Sequence, residues 1–255
     1  MTELLAQILG LSQAWVASAT LVFLRIGAAF LVLPAIAEQF IPMRVRLGAA
    51  LATTVLLTPA LHAELSGHVQ TPIRFLSEPL AGLILGLAVR LVAMALQMAG
   101  SMAAQATSLS QIAGGITPEP QPAMSGLLLL SGLTLAVMAG LHVHVARMLL
   151  ASYHVLPPAG LPQPSDLAGW GAARVGAAFS LAFSLAAPFL VASLLYNLAL
   201  GVINKAMPQL MVALVGAPAI TLGSLVLLLL AMPFMLPIWL TAFQSALLSP
   251  LGPLP

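Results

Sequence analysis

Cysteine is absent from the 255 residues, and lysine and aspartate occur once each, at Lys205 and Asp166. Without cysteine there are no disulfides, thiolate metal sites or thiol nucleophiles. A lone aspartate rules out an aspartyl dyad. Charged residues make up 5% of the chain, against about 25% in soluble domains. Aromatics are equally sparse at 5%. The sequence pI of about 9.7 arises from a formal charge of only +2, and the densest basic pair is Arg44 and Arg46. That is no electrostatic footprint for nucleic acid. HExxH, GxSxG and the phosphate-cradling GxxxxGK[ST] are all missing. Neither an enzyme nor an ATP-driven pump is expected, and no cofactor is called for.

What remains is apolar. Hydrophobic residues make up 61% of the chain and the mean hydropathy is +1.09. The composition is that of an integral membrane protein. Many of the apolar positions are Ala, Leu and Val, which suits close helix packing better than alternating barrel strands of about ten residues. The fold class expected is an all-α membrane protein with about six long apolar helical segments, several of them kinked or broken.

Those segments, taking about 20 residues to cross a bilayer, are Gln13–Ile36, Leu47–Leu61, Pro79–Gly100, Met124–Leu150, Val175–Ile203 and Leu210–Leu248. The second is short. The last two contain Pro188, Pro218, Pro233 and Pro237, and each is expected to be kinked or broken. The N-terminal stretch has no Lys or Arg before its first apolar run, so it does not read as a signal peptide and is expected to be retained. Under a six-span topology the arginines and the lysine divide evenly between the two sides, so the positive-inside rule gives no orientation.

Two arginines fall inside apolar runs, Arg25 in TLVFLRIGAAFLVLP and Arg90 in LILGLAVRLVAMALQ. A central arginine costs at least ~2.5–3.5 kcal/mol on insertion scales, so each needs a partner. Glu38, Glu78 and backbone carbonyls are the candidates. A structural ion pair and an ion or substrate pathway are both open readings. Gly82 and Gly86, in GLILG, have the spacing that lets two helices approach closely, within the chain or between subunits. His142 and His144, two residues apart, point to different helix faces, which disfavours a metal site.

Taken in order, four stretches resemble the FliR-type subunit of the flagellar type III export gate and its SctT-type counterpart in injectisomes. They are Leu24–Pro59, Glu78–Gln105, Ala139–Gly160 and Ala187–Pro218. The resemblance implies a helical, non-enzymatic subunit of a protein-export channel in the bacterial inner membrane, at the flagellar basal body. Its implied partners are FliP-like and FliQ-like gate subunits, FlhA-like and FlhB-like export proteins, and unfolded protein substrates. It also implies a FliP-like part over 1–170 and a FliQ-like hairpin over 171–255. Lys205, Pro208 and Gln209 match the family's basic-x-x-Pro-Gln turn between the last two helical segments.

The loop 105–122 holds the position of the family's pore plug, with Gln111, Ile112, Gly114, Gly115, Ile116 and Thr117 as its candidate residues. It departs from the usual plug in having no aromatic, and it reads Thr117-Pro118 where an Asp-Pro step is common. Outside the resemblance, a stand-alone transporter or channel for a small solute, with Arg25 and Arg90 on its pathway, is the competing class. A purely structural assembly nucleus is a third.

Overall fold

The computed structural model describes residues 2–66, 73–107, 123–158, 160, 162–207 and 212–252, with side chains from residue 12 onward except at 66, 107 and 212–218. The described residues form seven helices and no strand: α1 (Thr2–Val32), α2 (Met43–Ser66), α3 (Arg74–Thr107), α4 (Ala123–Met138), α5 (Leu141–Val155), α6 (Pro164–Ala206) and α7 (Val212–Leu248). Five of these, together with the α4–α5 pair taken as one bent span, have the length and apolarity to cross a membrane. The chain is an all-α membrane protein, as its composition predicts.

Helix is the form that satisfies every backbone polar group within one segment, which an apolar surrounding demands. The few hydroxyls on these helices follow the same rule. Thr53, Thr54, Thr58 and Ser18 each donate to the carbonyl four residues earlier, at 2.7–2.9 Å, so that these four hydroxyl donors are not left bare.

Of the two outcomes expected at the prolines, a kink or a break, the break does not occur. Helix α6 continues through Pro188, and α7 continues through Pro218, Pro233 and Pro237. A proline deletes one donor, but in apolar surroundings the flanking helical bonds are worth keeping, and the helix carries on. The interruption lies instead in the fourth segment, which contains no proline. There α4 stops at Met138, and Gly140 takes a left-handed conformation, φ 83° and ψ 36°, as the N-cap of α5. Glycine adopts that conformation at no steric cost. The second segment is also longer than its apolar core: α2 recruits Met43–Arg46 and His62–Ser66 and reaches 24 residues.

Packing divides the chain into two compact units. The first comprises Met1–Leu91, Ala139–Arg174 and Gln244–Pro255. In it α1 packs on α2, and α2 touches α5. Helix α3 lies against α1 through its glycines. The C-terminal stretch is tied down by Arg174, which donates to the carbonyls of Gly252 (2.8 Å) and Pro250 (3.1 Å).

The second unit comprises Val92–Met138 and Val175–Phe243. Gly100 meets α4 so closely that a Cβ there would stand 2.5 Å from Ser125 Cα, and the Ser125 hydroxyl donates to the Gln97 carbonyl at 3.0 Å. Trp239 is fully buried. Its indole N–H donates to the Val92 carbonyl at 2.8 Å, and its ring packs over Gly132 and stacks on Phe243 at 4.7 Å. Elsewhere this unit is open: only 17% of the most apolar stretch of α7 is buried. Leu222, Leu229, Leu230 and Phe234 on α7, like Leu194 and Leu198 on α6, are exposed. These faces require lipid or another protein.

Candidate functional site

The strongest concentration of polar chemistry lies inside the first unit and is built around Arg25, in the middle of the apolar part of α1. The residue is 1% exposed, and a buried guanidinium without acceptors would cost several kcal/mol. Every one of its nitrogens has an acceptor. Nε donates to Glu78 Oε2 at 2.7 Å and Nη2 reaches Glu78 Oε1 at 3.3 Å. Nη1 donates to Ser152 Oγ at 3.0 Å, and Nη2 also donates to the Leu156 carbonyl at 2.8 Å.

Local structure explains each acceptor. Glu78 lies in the second turn of α3 and is fully buried, so α3 presents one carboxylate to α1. Leu156 is the C-cap of α5, where the helix leaves carbonyls without intrahelical donors and carries partial negative charge. Ser152, one turn earlier, passes its own proton to the Leu149 carbonyl at 2.6 Å and so can accept from Arg25. The ring of Tyr153 faces the guanidinium, with its centroid 3.8 Å from Cζ, a cation–π contact in a desolvated place. Arg74, also buried and one turn before Glu78, adds a second positive charge beside that carboxylate. One arginine thus joins α1, the start of α3 and the end of α5.

The glycines of GLILG let this junction close. A Cβ on Gly82 would stand 2.1 Å from the Arg25 carbonyl oxygen, and one on Gly86 would stand 2.8 Å from that of Ala29. Both residues press α3 against the α1 backbone, so their contact lies within the chain. Near the end of α1 a second, half-exposed pair forms, Arg90 Nη1 to Glu38 Oε1 at 3.4 Å. Arg46 of α2 donates to the Glu38 backbone carbonyl.

Arg25, Glu78, Gly82 and Gly86 therefore line one contact between α1 and α3, and Arg90 sits about one turn beyond Gly86 on α3 with a partner of its own. Lys205 lies elsewhere, exposed in the last turn of α6. Pro208, Gln209, Gln111, Ile112, Gly114, Gly115, Ile116 and Thr117 lie outside the described residues. Sequence reasoning named both acids and backbone carbonyls, without singling out Leu156, and missed Ser152 and Tyr153. A signal was there: Ser-Tyr just before the Leu-Pro-Pro that ends an apolar helix places a hydroxyl, a π face and free carbonyls together. His144, by contrast, bonds at the start of its helix, with Nδ1 3.0 Å from the Gly140 carbonyl oxygen.

Charges committed to joining helices, with apolar faces left uncovered, define a multi-span helical membrane protein built for packing. Comparison with known proteins places it further. The family described as bacterial export proteins, family 1, matches residues 16–246. The flagellar biosynthetic protein FliR of Caulobacter vibrioides is 31% identical over 237 residues, covering 90% of this chain and 94% of that one. FliR of Escherichia coli is 27% identical, covering 89% of each chain. FliR of Bacillus subtilis is 30% identical, covering 83% of this chain and 85% of its own. The chain belongs to the FliR-type family of bacterial export proteins.

Proposed function

We propose that the protein is a non-enzymatic subunit of the flagellar type III export gate, forming and closing the channel through which unfolded flagellar proteins leave the cell. The observation that carries this reading is the family match over almost the whole chain, 16–246. The physical character of the molecule supports it. The most central charge, Arg25, is enclosed by acceptors from its own chain, so it works as a joint and does not line a path for a solute. The exposed Leu-rich faces of α6 and α7 suit helices that complete their packing against other subunits.

In this reading FliP-like and FliQ-like chains supply those neighbours, and FlhA-like and FlhB-like proteins attach to the assembly. The site is the bacterial inner membrane at the flagellar basal body. Residues 1–170 correspond to a FliP-like part and 171–255 to a FliQ-like hairpin, a division of kinship: residue 170 falls inside α6. The plug expected over 105–122 begins inside α3, which runs to Thr107; in this reading Gly114 and Gly115 allow turns and Ile112 and Ile116 an apolar seal. Lys205, Pro208 and Gln209 form the corner between α6 and α7.

Native mass spectrometry of the tagged protein, extracted gently with its genomic neighbours co-expressed, tests the reading. A large hetero-oligomer containing FliP-like and FliQ-like chains is expected. A stable monomer or homodimer would overturn it in favour of a stand-alone transporter.

A further inference from the structure

A groove of about 300 Å³ runs along the first unit between α1 and α2. Phe23, Phe30 and Leu31 of α1 and Met43 and Leu47 of α2 line it, and its walls are almost wholly apolar. Leu31, Met43 and Leu47 are each about half exposed or more, at 50%, 61% and 49%, so the groove opens at the surface. One charged residue lines it, Arg46.

Arg46 is incompletely satisfied. One of its Nη atoms donates to the Glu38 carbonyl, whereas its Nε is buried and has no acceptor among the described residues. Arg44 stands exposed two residues earlier. The nearby carboxylate, Glu38, is already engaged by Arg90 at 3.4 Å. Two arginines, Arg46 and Arg90, therefore converge on one acidic residue, and the surplus charge lies at one end of an apolar channel. That end is also where α1 stops (Val32) and α2 starts (Met43). In a bilayer, arginines at span ends reach toward the headgroups, whose phosphates accept guanidinium bonds.

The geometry points to a binding site for one anionic phospholipid, with its phosphate on Arg46 and an acyl chain in the groove. The groove explains the chain, and the Arg46 guanidinium on its wall, which meets a backbone carbonyl and no carboxylate among the described residues, explains the anion. A neighbouring helix that is purely apolar would fill the first without supplying an acceptor at the second. The inference concerns this chain by itself in a membrane and does not depend on the export-gate reading.

The test is native mass spectrometry and lipid-dependent thermal shift on the full chain, delipidated in neutral detergent and titrated with phosphatidylglycerol or phosphatidylcholine. Phosphatidylglycerol should bind about tenfold or more tightly than phosphatidylcholine, the scale of one charge-assisted contact. Arg46→Gln should remove that preference and Arg46→Lys should retain most of it. Gly27 borders the groove, and a Cβ there would meet only the Phe23 ring at 3.9 Å, so Gly27→Leu should occupy the groove and weaken both lipids. Equal affinity for the two lipids in the unsubstituted protein would overturn the assignment, even if a variant failed to fold. So would phosphatidylglycerol binding indifferent to Arg46→Gln and Gly27→Leu, which would leave the groove to bulk lipid or a neighbouring helix.

Discussion

Arg25 and Glu78 lie 53 positions apart in the chain and meet at 2.7 Å with exposures of 1% and 0%. Removing one partner of such a buried pair strands the other charge, at a cost of about 3–5 kcal/mol. Glu78→Gln and Arg25→Leu should each sharply lower the thermal midpoint in detergent and the monodisperse fraction on size exclusion. Replacing both by Met should recover most of the loss, because the stranded charge is then gone. Normal folding of Arg25→Leu with export lost would instead make Arg25 a functional group.

Glycine contacts give an internally controlled comparison. At Gly82 a Cβ would collide with backbone, the Arg25 carbonyl at 2.1 Å, and no rotamer change can relieve it. Gly82→Ala should destabilise by about 1–3 kcal/mol, the usual cost of overpacking. Gly48 on α2 has nothing within 4 Å of its missing Cβ. There Gly48→Ala should stabilise by up to about 1 kcal/mol through helix propensity. Thermal midpoints of the two variants should shift in opposite directions.

Ala35, between α1 and α2, has φ 69°, a left-handed conformation that costs a non-glycine residue about 1–2 kcal/mol. Its neighbours hold it there: the Ala37 N–H donates to the Leu33 carbonyl at 2.8 Å. Ala35→Gly should raise the thermal midpoint by relieving that strain, and a lowered midpoint would show that the loop is free to relax.

Deleting Gly114–Thr117 should raise ion leakage through the assembled gate while leaving assembly intact, measured as conductance or dye efflux in cells expressing the complete gate. Unchanged leakage would argue that loop 105–122 does not close the pore.

Much of the fold was legible in advance, for an elementary reason. Runs of Ala, Leu and Val as long as a bilayer is thick, with hardly any charge between them, leave helix as the only way to satisfy the backbone. Proline was a poorer guide. Local reading allows kinks or breaks at Pro188, Pro218, Pro233 and Pro237, whereas the apolar helix that breaks does so at Gly140. One lost hydrogen bond is a small penalty in a helix of 37 or 43 residues, and a left-handed glycine interrupts the ladder itself.

The candidate site divides the same way. That Arg25 and Arg90 need acceptors follows from sequence alone, because an arginine in an apolar run is costly wherever it ends up. Which acid serves which arginine does not follow. Glu38 is nearer to Arg25 in the chain, at 13 positions, than Glu78 is at 53, yet Arg25 takes Glu78 and Arg90 takes Glu38. The close approach of α3 to α1 at Gly82 and Gly86 sets those distances. Composition determined that this is a helical membrane protein with buried charge to neutralise. Only tertiary packing decided where each charge is neutralised, because ion pairing depends on distances that helix contacts set and sequence separation does not.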